Sequence, residues 1–392
     1  MAEFEPRRAF EHIDKLAYEI GPRLAGTTGA KQAADYIQKQ LESCGYKPVV
    51  QEFGFVPRAV KTQIRAIFII AAFVASLFLP AIVSLVVFLF ALLIAYAAPY
   101  AAPKQLGKNI VVTTAAEEPK KHLLVSAHYD SARCTVHPNL NIFVKFAFAP
   151  VVIVFTAFLL LRQVGMPFVV WAITWTCLAP FFLAVCAGML ISVSGKRVSP
   201  GANDNASGVA LMLEVARVAA ENPPSNVELT FAAFDVEEQG LIGSREFVKT
   251  QKFVPEKFVM LNLDTLGAGK QAYVVEGNGL VQKHRTAQKA NDVLMLCCEH
   301  AGLKPKLWWA ALAGHDHIPF LRVKLPSTTL TMDAPSKDDF SVALAKKIGL
   351  PNARTRGYRY LHTMDDIPDK IELANIERAG QVVLEFIKEI GK

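Results

Sequence analysis

The sequence predicts an α/β domain with a mixed, mostly parallel sheet, interrupted by four membrane-spanning helices in two inserted hairpins. Two observations predict this class. The hydrophobic fraction of 52% is concentrated in long uncharged runs. Outside these runs, short apolar and β-branched segments alternate with segments of helical spacing. Strands that alternate with helices favour a mostly parallel sheet covered by helices on both faces.

The uncharged runs are too long for one helix each. Residues 66–100 and 163–195 contain no charged side chain. At ~1.5 Å per residue the first run would form a helix roughly 50 Å long, whereas a hydrocarbon core is ~30 Å thick. Pro80 offers a turn near its middle. Helices that are apolar on every side are rarely this long in soluble cores, so membrane spans are favoured over buried helices. The predicted spans are 64–79, 81–99, 141–161 and 167–192.

The polar remainder is predicted to form one discontinuous domain around these insertions. It comprises residues 1–63, 103–140 and 194–392, with a first hairpin at 64–102 and a second at 141–193. The predicted strands are 108–114, 122–130, 227–238, 258–267, 271–277 and 327–334. The predicted helices are 5–19, 28–44, 205–221, 240–250, 281–302 and 372–390.

Basic residues flank the apolar runs mainly on the side that carries the polar sequence. They are Arg58, Lys61, Arg65, Lys104, Lys108, Lys145, Lys196 and Arg197. Only Arg162 lies in a turn on the far side. The positive-inside rule therefore places the polar domain in the cytoplasm of a multi-pass membrane protein.

Other features agree with this location. The N-terminal segment has no apolar core of the kind that a secretory signal needs. The six cysteines do not suggest a disulfide framework, which favours a reducing compartment. The net charge of +7 is better explained by anionic lipid than by nucleic acid, because no basic stripe is interleaved with aromatic residues. A lipid bilayer is an expected partner, and nucleic acid is not.

Acidic and histidine side chains stand where predicted strands end. In open α/β sheets, ligand sites gather at the carboxyl ends of the strands. Each residue alone has a structural explanation, such as a turn cap or a partly buried histidine. Together they predict one functional rim, formed by His128, Asp130, Asp235, Glu237, Glu238 and Asp264.

The segment SPGANDNASGVALMLEVA, which starts at Ser199, places Asp204 between two asparagines just before a helical pattern. An Asp at this position could simply cap the helix. Alternatively, its carboxylate could bridge two metal ions, with the small neighbouring residues allowing the ions and a substrate to approach the backbone. The alternatives depend on which other side chains lie close to Asp204.

Five ordered segments together resemble the motifs of the dizinc aminopeptidase family that includes aminopeptidase S, aminopeptidase Y and vacuolar membrane peptidases. They are AHYDS, PGANDNASGVA, FDVEEQGLIGS, LNLDTLG and YLHTMDDIPDKI. The resemblance covers about the whole polar part, including the opening IGPRLAGTTGAKQAADYIQKQL. It implies the three-layer αβα architecture of zinc exopeptidases, which is phosphorylase/hydrolase-like. The long interval between the first two motifs, which holds the second hairpin, departs from the family pattern.

The resemblance also implies a metal centre with two Zn²⁺ ions. His128 and Asp264 would bind one ion, Glu238 and His362 the other, and Asp204 would bridge them. This donor set suits zinc, since two close ions need a bridging carboxylate plus His and carboxylate ligands.

Further roles are implied for two carboxylates beside these ligands. Glu237 would be the general base that takes a proton from a metal-activated bridging hydroxide or water. Asp130 would orient His128, as carboxylates commonly orient ligating imidazoles.

Several residues near GHDHIPF have weaker assignments. Similar relatives use this region to shape the substrate pocket, so Asp316 and His317 are candidates for substrate binding, although a satisfied loop histidine is an equal alternative. Trp308 and Trp309 could line a pocket, but packing in the core is favoured for them.

The sequence therefore predicts a membrane-embedded dizinc exopeptidase that acts on peptides, with an aminopeptidase favoured. Zinc carboxypeptidases and glutaminyl cyclases of the same fold are alternatives. A non-catalytic membrane receptor or scaffold is a further alternative, disfavoured because all five ligands and the base are present.

Overall fold

A computed structural model describes residues 3–114, 119–134, 138–280, 282–334, 340–354 and 357–392. Its α-helices are α1 (Pro6–Asp14), α2 (Thr28–Ser43), α3 (Arg58–Phe78), α4 (Ala81–Ala97), α5 (Pro138–Gln163), α6 (Phe168–Ser194), α7 (Ser207–Glu221), α8 (Ile242–Thr250), α9 (Gln288–His300), α10 (His317–Arg322), α11 (Phe340–Lys347) and α12 (Leu373–Ile390). Its strands are β1 (Val49–Phe55), β2 (Gln105–Thr113), β3 (Lys121–His128), β4 (Val227–Phe234), β5 (Phe258–Leu263), β6 (Gln271–Asn278), β7 (His284–Arg285), β8 (Lys306–Ala310) and β9 (Ser327–Asp333).

The strands form one mixed sheet in the order β1-β2-β4-β3-β5-β9-β6-β7, with β8 also paired to β6. The central strands β4, β3, β5 and β9 run parallel to their neighbours in this series. Antiparallel pairs join β2 to β4, and join β6 to both β9 and β7. The predicted α/β class with a mixed, mostly parallel sheet is confirmed.

Both faces of the central strands are buried, which explains their nearly continuous apolar runs. In β3, Leu123 and Val125 pack on one face, and Leu124 packs on the other. Helices α1, α2, α7, α9 and α12 cover the first face, while α8 and α10 cover the second. Helix α12 presents Ile376, Val383 and other apolar residues at helical spacing to the first face. The result is a helix, sheet and helix layering.

Several segments differ from the prediction, and helices α10 and α11 lie where no helix was predicted. The predicted helix at 281–302 begins only at Gln288, because residues 284–285 form the short strand β7 against the end of β6. Gly279 permits this reversal: its φ is +90°, and an added Cβ would lie 2.2 Å from the Gln282 carbonyl oxygen. Strands β1 and β8 were not predicted, since both are short and lie outside the parallel centre of the sheet.

The chain forms two compact units. The first comprises Met1–Phe53, Leu106–Ala132 and Val198–Lys392 and contains most of the sheet. The second comprises Gly54–Gln105 and Arg133–Arg197 and contains the apolar helices α3 to α6.

Within the described residues, four helices of the second unit are long and apolar enough to cross a membrane. They are Arg58–Phe78, Ala81–Ala101, Phe146–Gln163 and Phe168–Ser194. The first pair is separated at Pro80, where the sequence predicts a turn. Aromatic packing joins the pairs: the ring of Phe73 stacks on Phe182 at 4.0 Å and tilts against Phe155 at 4.7 Å between centroids.

A polar cluster connects the turn of the first hairpin to both helices of the second. Arg162 Nη1 donates to the Ser76 carbonyl and the Ser84 hydroxyl, each at 3.1 Å. The guanidinium carbon lies 4.1 Å from the ring centre of Trp171, and Trp175 Nε1 donates to Ser76 Oγ at 3.2 Å. Ser76 and Ser84 are fully buried. These bonds satisfy polar groups that apolar surroundings would otherwise leave unpaired.

The segment that leads into the second hairpin and the segment that follows it lie side by side. Ser199 N donates to the Ala132 carbonyl at 2.9 Å, and Ser131 Oγ donates to the Ser199 carbonyl at 2.8 Å. One step further out, Cys134 N donates to the Arg197 carbonyl at 2.9 Å. These bonds define a narrow neck at the base of the insertion.

Arg23 ties the N-terminal segment to the two segments that meet at this neck. Its side chain is fully buried. Burial lowers the pKa of its guanidinium to about 10, although nearby carboxylates, led by Asp366, oppose this shift. Its nitrogens donate five hydrogen bonds of 2.6 to 3.1 Å to backbone carbonyls. The acceptors are Leu16, Gly21, Tyr129, Pro200 and Gly201.

We expect Arg23→Ala to destabilise the first unit by more than about 3 kcal/mol, because each buried carbonyl left without a donor costs ~1–3 kcal/mol. Arg23→Lys should have an intermediate effect, since an ammonium has only three donors. The measurement is the thermal unfolding midpoint of the full-length protein in detergent. Arg245→Ala is the control, because that side chain is 46% exposed. Equal midpoints for Arg23→Ala and this control would contradict the assignment.

Candidate metal centre

The parallel strands β4, β3 and β5 bring their carboxyl ends to one edge of the sheet. His128 is the last residue of β3 and is in register with Phe234, the last residue of β4. Asp264 directly follows β5, while Glu237 and Glu238 lie in the turn after β4. The strand-end residues singled out in the sequence therefore lie together at this edge.

Asp204 lies between two histidines. Its Oδ1 atom is 3.3 Å from His128 Nε2, and its Oδ2 atom is 3.0 Å from His362 Nε2. The side chain of Asp204 is buried, as is that of His128. One carboxylate thus offers a separate oxygen to each of two imidazoles.

Two clusters of potential metal ligands share Asp204. The first contains His128, Asp204 and Asp264, and the second contains Asp204, Glu238 and His362. Within each cluster the candidate ligand atoms all lie within 4.8 Å of one another. These are the five residues named from the sequence, grouped in the same two sets. Their binding of metal remains a prediction.

The two asparagines beside Asp204 hold its loop against the segment that follows β5. Asn203 Oδ1 accepts hydrogen bonds from the backbone of Gly267 and Ala268 at 2.8 and 3.0 Å. Asn205 Nδ2 donates to the Leu263 carbonyl at 2.8 Å. Asp204 therefore keeps a fixed position relative to Asp264.

The side chain of Asn205, rather than that of Asp204, binds the first turn of helix α7, although Ala206 is the residue directly before the helix. Its Oδ1 atom accepts from the backbone N–H of Gly208 at 3.1 Å and also from that of Thr265 at 3.1 Å. This satisfies a donor in the first turn of the helix, as an N-terminal cap does. The capping explanation for Asp204 is thus wrong, and its carboxylate is left for the two histidines.

Small residues around Asp204 are required by packing. Gly201 has φ of +63°, and an added Cβ would lie 2.5 Å from the Asp204 carbonyl oxygen. An added Cβ on Gly208 would lie 2.6 Å from the Leu263 carbonyl oxygen. Both glycines allow other parts of the chain to pack closely against their backbone. The sequence had suggested instead that small residues here make room for ions and substrate.

Asp366 supports the same loop and was not predicted from the sequence. Its carboxylate accepts from the backbone N–H of Asn203 at 2.9 Å and of Asp204 at 3.2 Å, and from the Tyr358 hydroxyl at 2.9 Å. Burial raises the pKa of Asp366 to about 6. The sequence feature that could have identified Asp366 is its position four residues after His362, in the motif YLHTMDDIPDKI.

Asp130 contacts both the predicted base and a predicted ligand. Its carboxylate accepts from the backbone N–H groups of Glu237 at 3.0 Å and Glu238 at 3.2 Å. His128 Nδ1 donates to the Asp130 backbone carbonyl at 3.2 Å, while the carboxylate lies 3.6 Å away. The bond to the carbonyl leaves the Nε2 atom of His128 facing Asp204. The Asp130 carboxylate thus binds the turn after β4, while the imidazole is bonded to the Asp130 backbone carbonyl; orientation of His128 by the carboxylate stays a prediction.

The centre concentrates negative charge in a buried place. Burial raises the pKa of Glu237 well above its usual range; His128 opposes this shift, and the carboxylates of Glu238, Asp316 and Asp264 add to it. Glu238 Oε1 is buried and lies 3.2 Å from His362 Nε2. A set of imidazoles and crowded buried carboxylates fits divalent cations, and its donors suit zinc.

The other predicted rim residue and the substrate candidates are not members of the two clusters. Asp235 accepts from the backbone N–H groups of Lys108 and Val236, which gives it a supporting role in the sheet. His317 is fully buried, and its ring nitrogens lie 2.5 Å from Thr329 Oγ1 and 2.6 Å from Asn278 Oδ1.

Asp316 is also buried, and within the described ranges neither of its carboxylate oxygens has a hydrogen-bond partner. A contact of Asp316 or His317 with substrate stays a prediction.

Trp308 and Trp309 are buried in β8, in agreement with core packing.

Comparison with known proteins identifies the family. Residues 190–387 match the model of peptidase family M28, which is half of the chain. Aminopeptidase YwaD of Bacillus subtilis is 28% identical over 204 residues, which cover 50% of this chain and 38% of that relative. The chain thus spans well under half of this relative's length.

Solved structures share the fold at low sequence identity. A Zn-dependent exopeptidase from Parabacteroides distasonis has a TM-score of 0.59 and 16% identity, with 98% of each chain covered. The glutaminyl cyclase of Porphyromonas gingivalis also has a TM-score of 0.59, with 14% identity and 98% of each chain covered. These structures confirm the predicted zinc-exopeptidase architecture. Together with the match over half of its residues, they lead to the conclusion that this chain belongs to peptidase family M28.

Proposed function

We propose that the protein is a membrane-embedded dizinc exopeptidase, an aminopeptidase that removes N-terminal residues from peptides. The observation that carries this proposal is the position of Asp204, whose two oxygens face His128 and His362 in two overlapping ligand clusters. The names of the relatives support it, since YwaD is an aminopeptidase.

The residues of the two clusters would hold the zinc ions. His128 and Asp264 would bind one ion, Glu238 and His362 the other, with Asp204 shared between them. Zinc supplies Lewis acidity that polarises a peptide carbonyl and makes a bound water more acidic.

Glu237 would move the proton in this reaction. Its backbone is fixed by Asp130, and its side chain is half-buried next to the ligand Glu238. The Glu237 carboxylate could accept a proton from water and then donate it to the leaving amine nitrogen. Hydrolysis needs both transfers, because water loses a proton and the amine gains one.

We expect Glu237→Gln to keep the zinc of the wild type and to lower kcat by about 10²- to 10⁴-fold, since the amide cannot accept the proton. Zinc is measured by elemental analysis and kcat by release of free amino acid. Glu246→Gln on helix α8 is the matched control and should match the wild type in both. Loss of zinc from Glu237→Gln would instead make Glu237 a ligand.

Glutaminyl cyclase activity is the second candidate, because that enzyme shares the fold at a TM-score of 0.59. Two complete ligand clusters favour hydrolysis assisted by two metal ions over a cyclase with one. The two activities differ in substrate, since cyclisation requires an N-terminal glutamine and releases ammonia.

Blocking groups on the substrate separate the candidates. We expect peptides with a free N-terminus to be cleaved, and N-acetylation to lower kcat/KM by about 100-fold or more, because a site that binds the amine loses its charge and donors. C-terminal amidation should have little effect. Cleavage that requires a free carboxylate would indicate a carboxypeptidase, and ammonia release from N-terminal glutamine a cyclase. A purified protein without metal or activity would indicate a receptor or scaffold.

We also propose that helices α3 to α6 cross the membrane and that the peptidase unit lies in the cytoplasm. Their length and apolar composition support crossing. The excess of lysine and arginine at the ends nearest the polar sequence supports the orientation.

Single cysteines placed at opposite ends of the helices test this orientation. Val164 is 82% exposed in the turn between α5 and α6, and Lys104 is exposed after α4. A membrane-impermeant maleimide should label Val164→Cys in intact cells and Lys104→Cys only after permeabilisation. The unmodified chain gives the background from its own cysteines. The reverse pattern would place the peptidase unit outside the cytoplasm.

A further inference from the structure

A chain of buried polar side chains ends beside the predicted ligand Asp264. It runs from Thr329 in β9 through His317 and Asn278 to His315. His315 Nε2 lies 3.9 Å from Asp264 Oδ2. Every side chain of the series is at most 1% exposed, so its donors and acceptors must be matched inside the protein.

The backbone carbonyl of Ala313 fixes the orientation of Asn278. Asn278 Nδ2 lies 2.9 Å from this oxygen and 3.0 Å from His315 Nδ1. A rotated amide would place its own oxygen against the carbonyl, and two acceptors would then face each other. Asn278 therefore donates from Nδ2 to both partners.

This orientation determines the position of the proton on each histidine. Asn278 Oδ1 accepts from His317 Nε2 at 2.6 Å, so His317 Nδ1 is the acceptor for the Thr329 hydroxyl at 2.5 Å. His315 Nδ1 accepts from Asn278. In a neutral imidazole the remaining nitrogen carries the proton, so the N–H of His315 Nε2 faces Asp264.

The ring of His315 is also held in place by packing. Trp308 contacts it edge to face, with centroids 5.5 Å apart and planes at 87°. His317 stacks on it with centroids 5.6 Å apart and planes at 13°. The direction of the Nε2–H group is thus fixed by packing as well as by hydrogen bonds.

We propose that His315 is a positioning residue, which presents Nε2–H to the Asp264 carboxylate and so holds that carboxylate in the orientation that binds zinc. The proposal rests on the proposed dizinc function. It assigns His317 and Asn278 to the support of His315. Partners that orient metal ligands typically change metal affinity by about 10- to 100-fold when removed.

A matched pair of substitutions isolates the donor. His315→Gln keeps an N–H donor near the position of Nε2, whereas His315→Met has a similar length and no donor. Full-length protein in detergent is loaded with zinc, and its release to a chromogenic chelator is followed. We expect His315→Met to release one of two zinc ions at least about 10-fold more readily than wild type, and His315→Gln to stay within about threefold. His284→Gln on β7 is the control and should match wild type.

Other outcomes overturn the proposal. If His315→Gln and His315→Met retain zinc equally well, whether normally or less than wild type, an N–H donor at position 315 does not determine zinc binding. A wild type that binds zinc but cleaves no peptide would refute the peptidase function, while the comparison of zinc release would still decide the role of His315. A wild type that binds no zinc would refute both.

Discussion

The arrangement of the centre depends on holding one carboxylate, that of Asp204, between two imidazoles. The position is costly to create, since the loop is buried and several carboxylates lie nearby. The loop that carries Asp204 is stabilised by three sets of hydrogen bonds. Asn203 and Asn205 bind the segment after β5, and Asp366 binds the backbone of the loop itself. Arg23 binds the carbonyls at its start. The geometry of the candidate ligands is therefore a property of the surrounding backbone network.

Much of the fold and the candidate ligand set could be predicted from sequence. The central strands have nearly continuous apolar runs, and His128 and Asp264 were noticed because they end such runs. His362 follows no strand and was identified only through the resemblance of its motif. Short strands β1 and β8 were missed, because five to seven residues at the side of a sheet leave little periodicity.

The supporting residues were harder to predict for a physical reason. Arg23 and Asp366 act on backbone groups that are far away in the sequence. Asn278 acts through its amide orientation, which only the position of the Ala313 carbonyl determines. Neither composition nor spacing indicates that a polar side chain will be buried against such partners. Candidate ligand residues are recognisable by type and position, whereas the residues that hold them in place depend on tertiary contacts.

The neck at the base of the second hairpin determines where the chain could be shortened. The chain departs at Ala132 and returns at Ser199, and these residues are joined by a backbone hydrogen bond of 2.9 Å. The frame around Asp204 therefore closes without any residue of the intervening segment. A short turn that joins Ala132 to Ser199 should therefore preserve this frame, so α5 and α6 form an insertion that the frame around Asp204 does not require. Because α3 and α4 would remain, a chain shortened at this neck would still carry two long apolar helices.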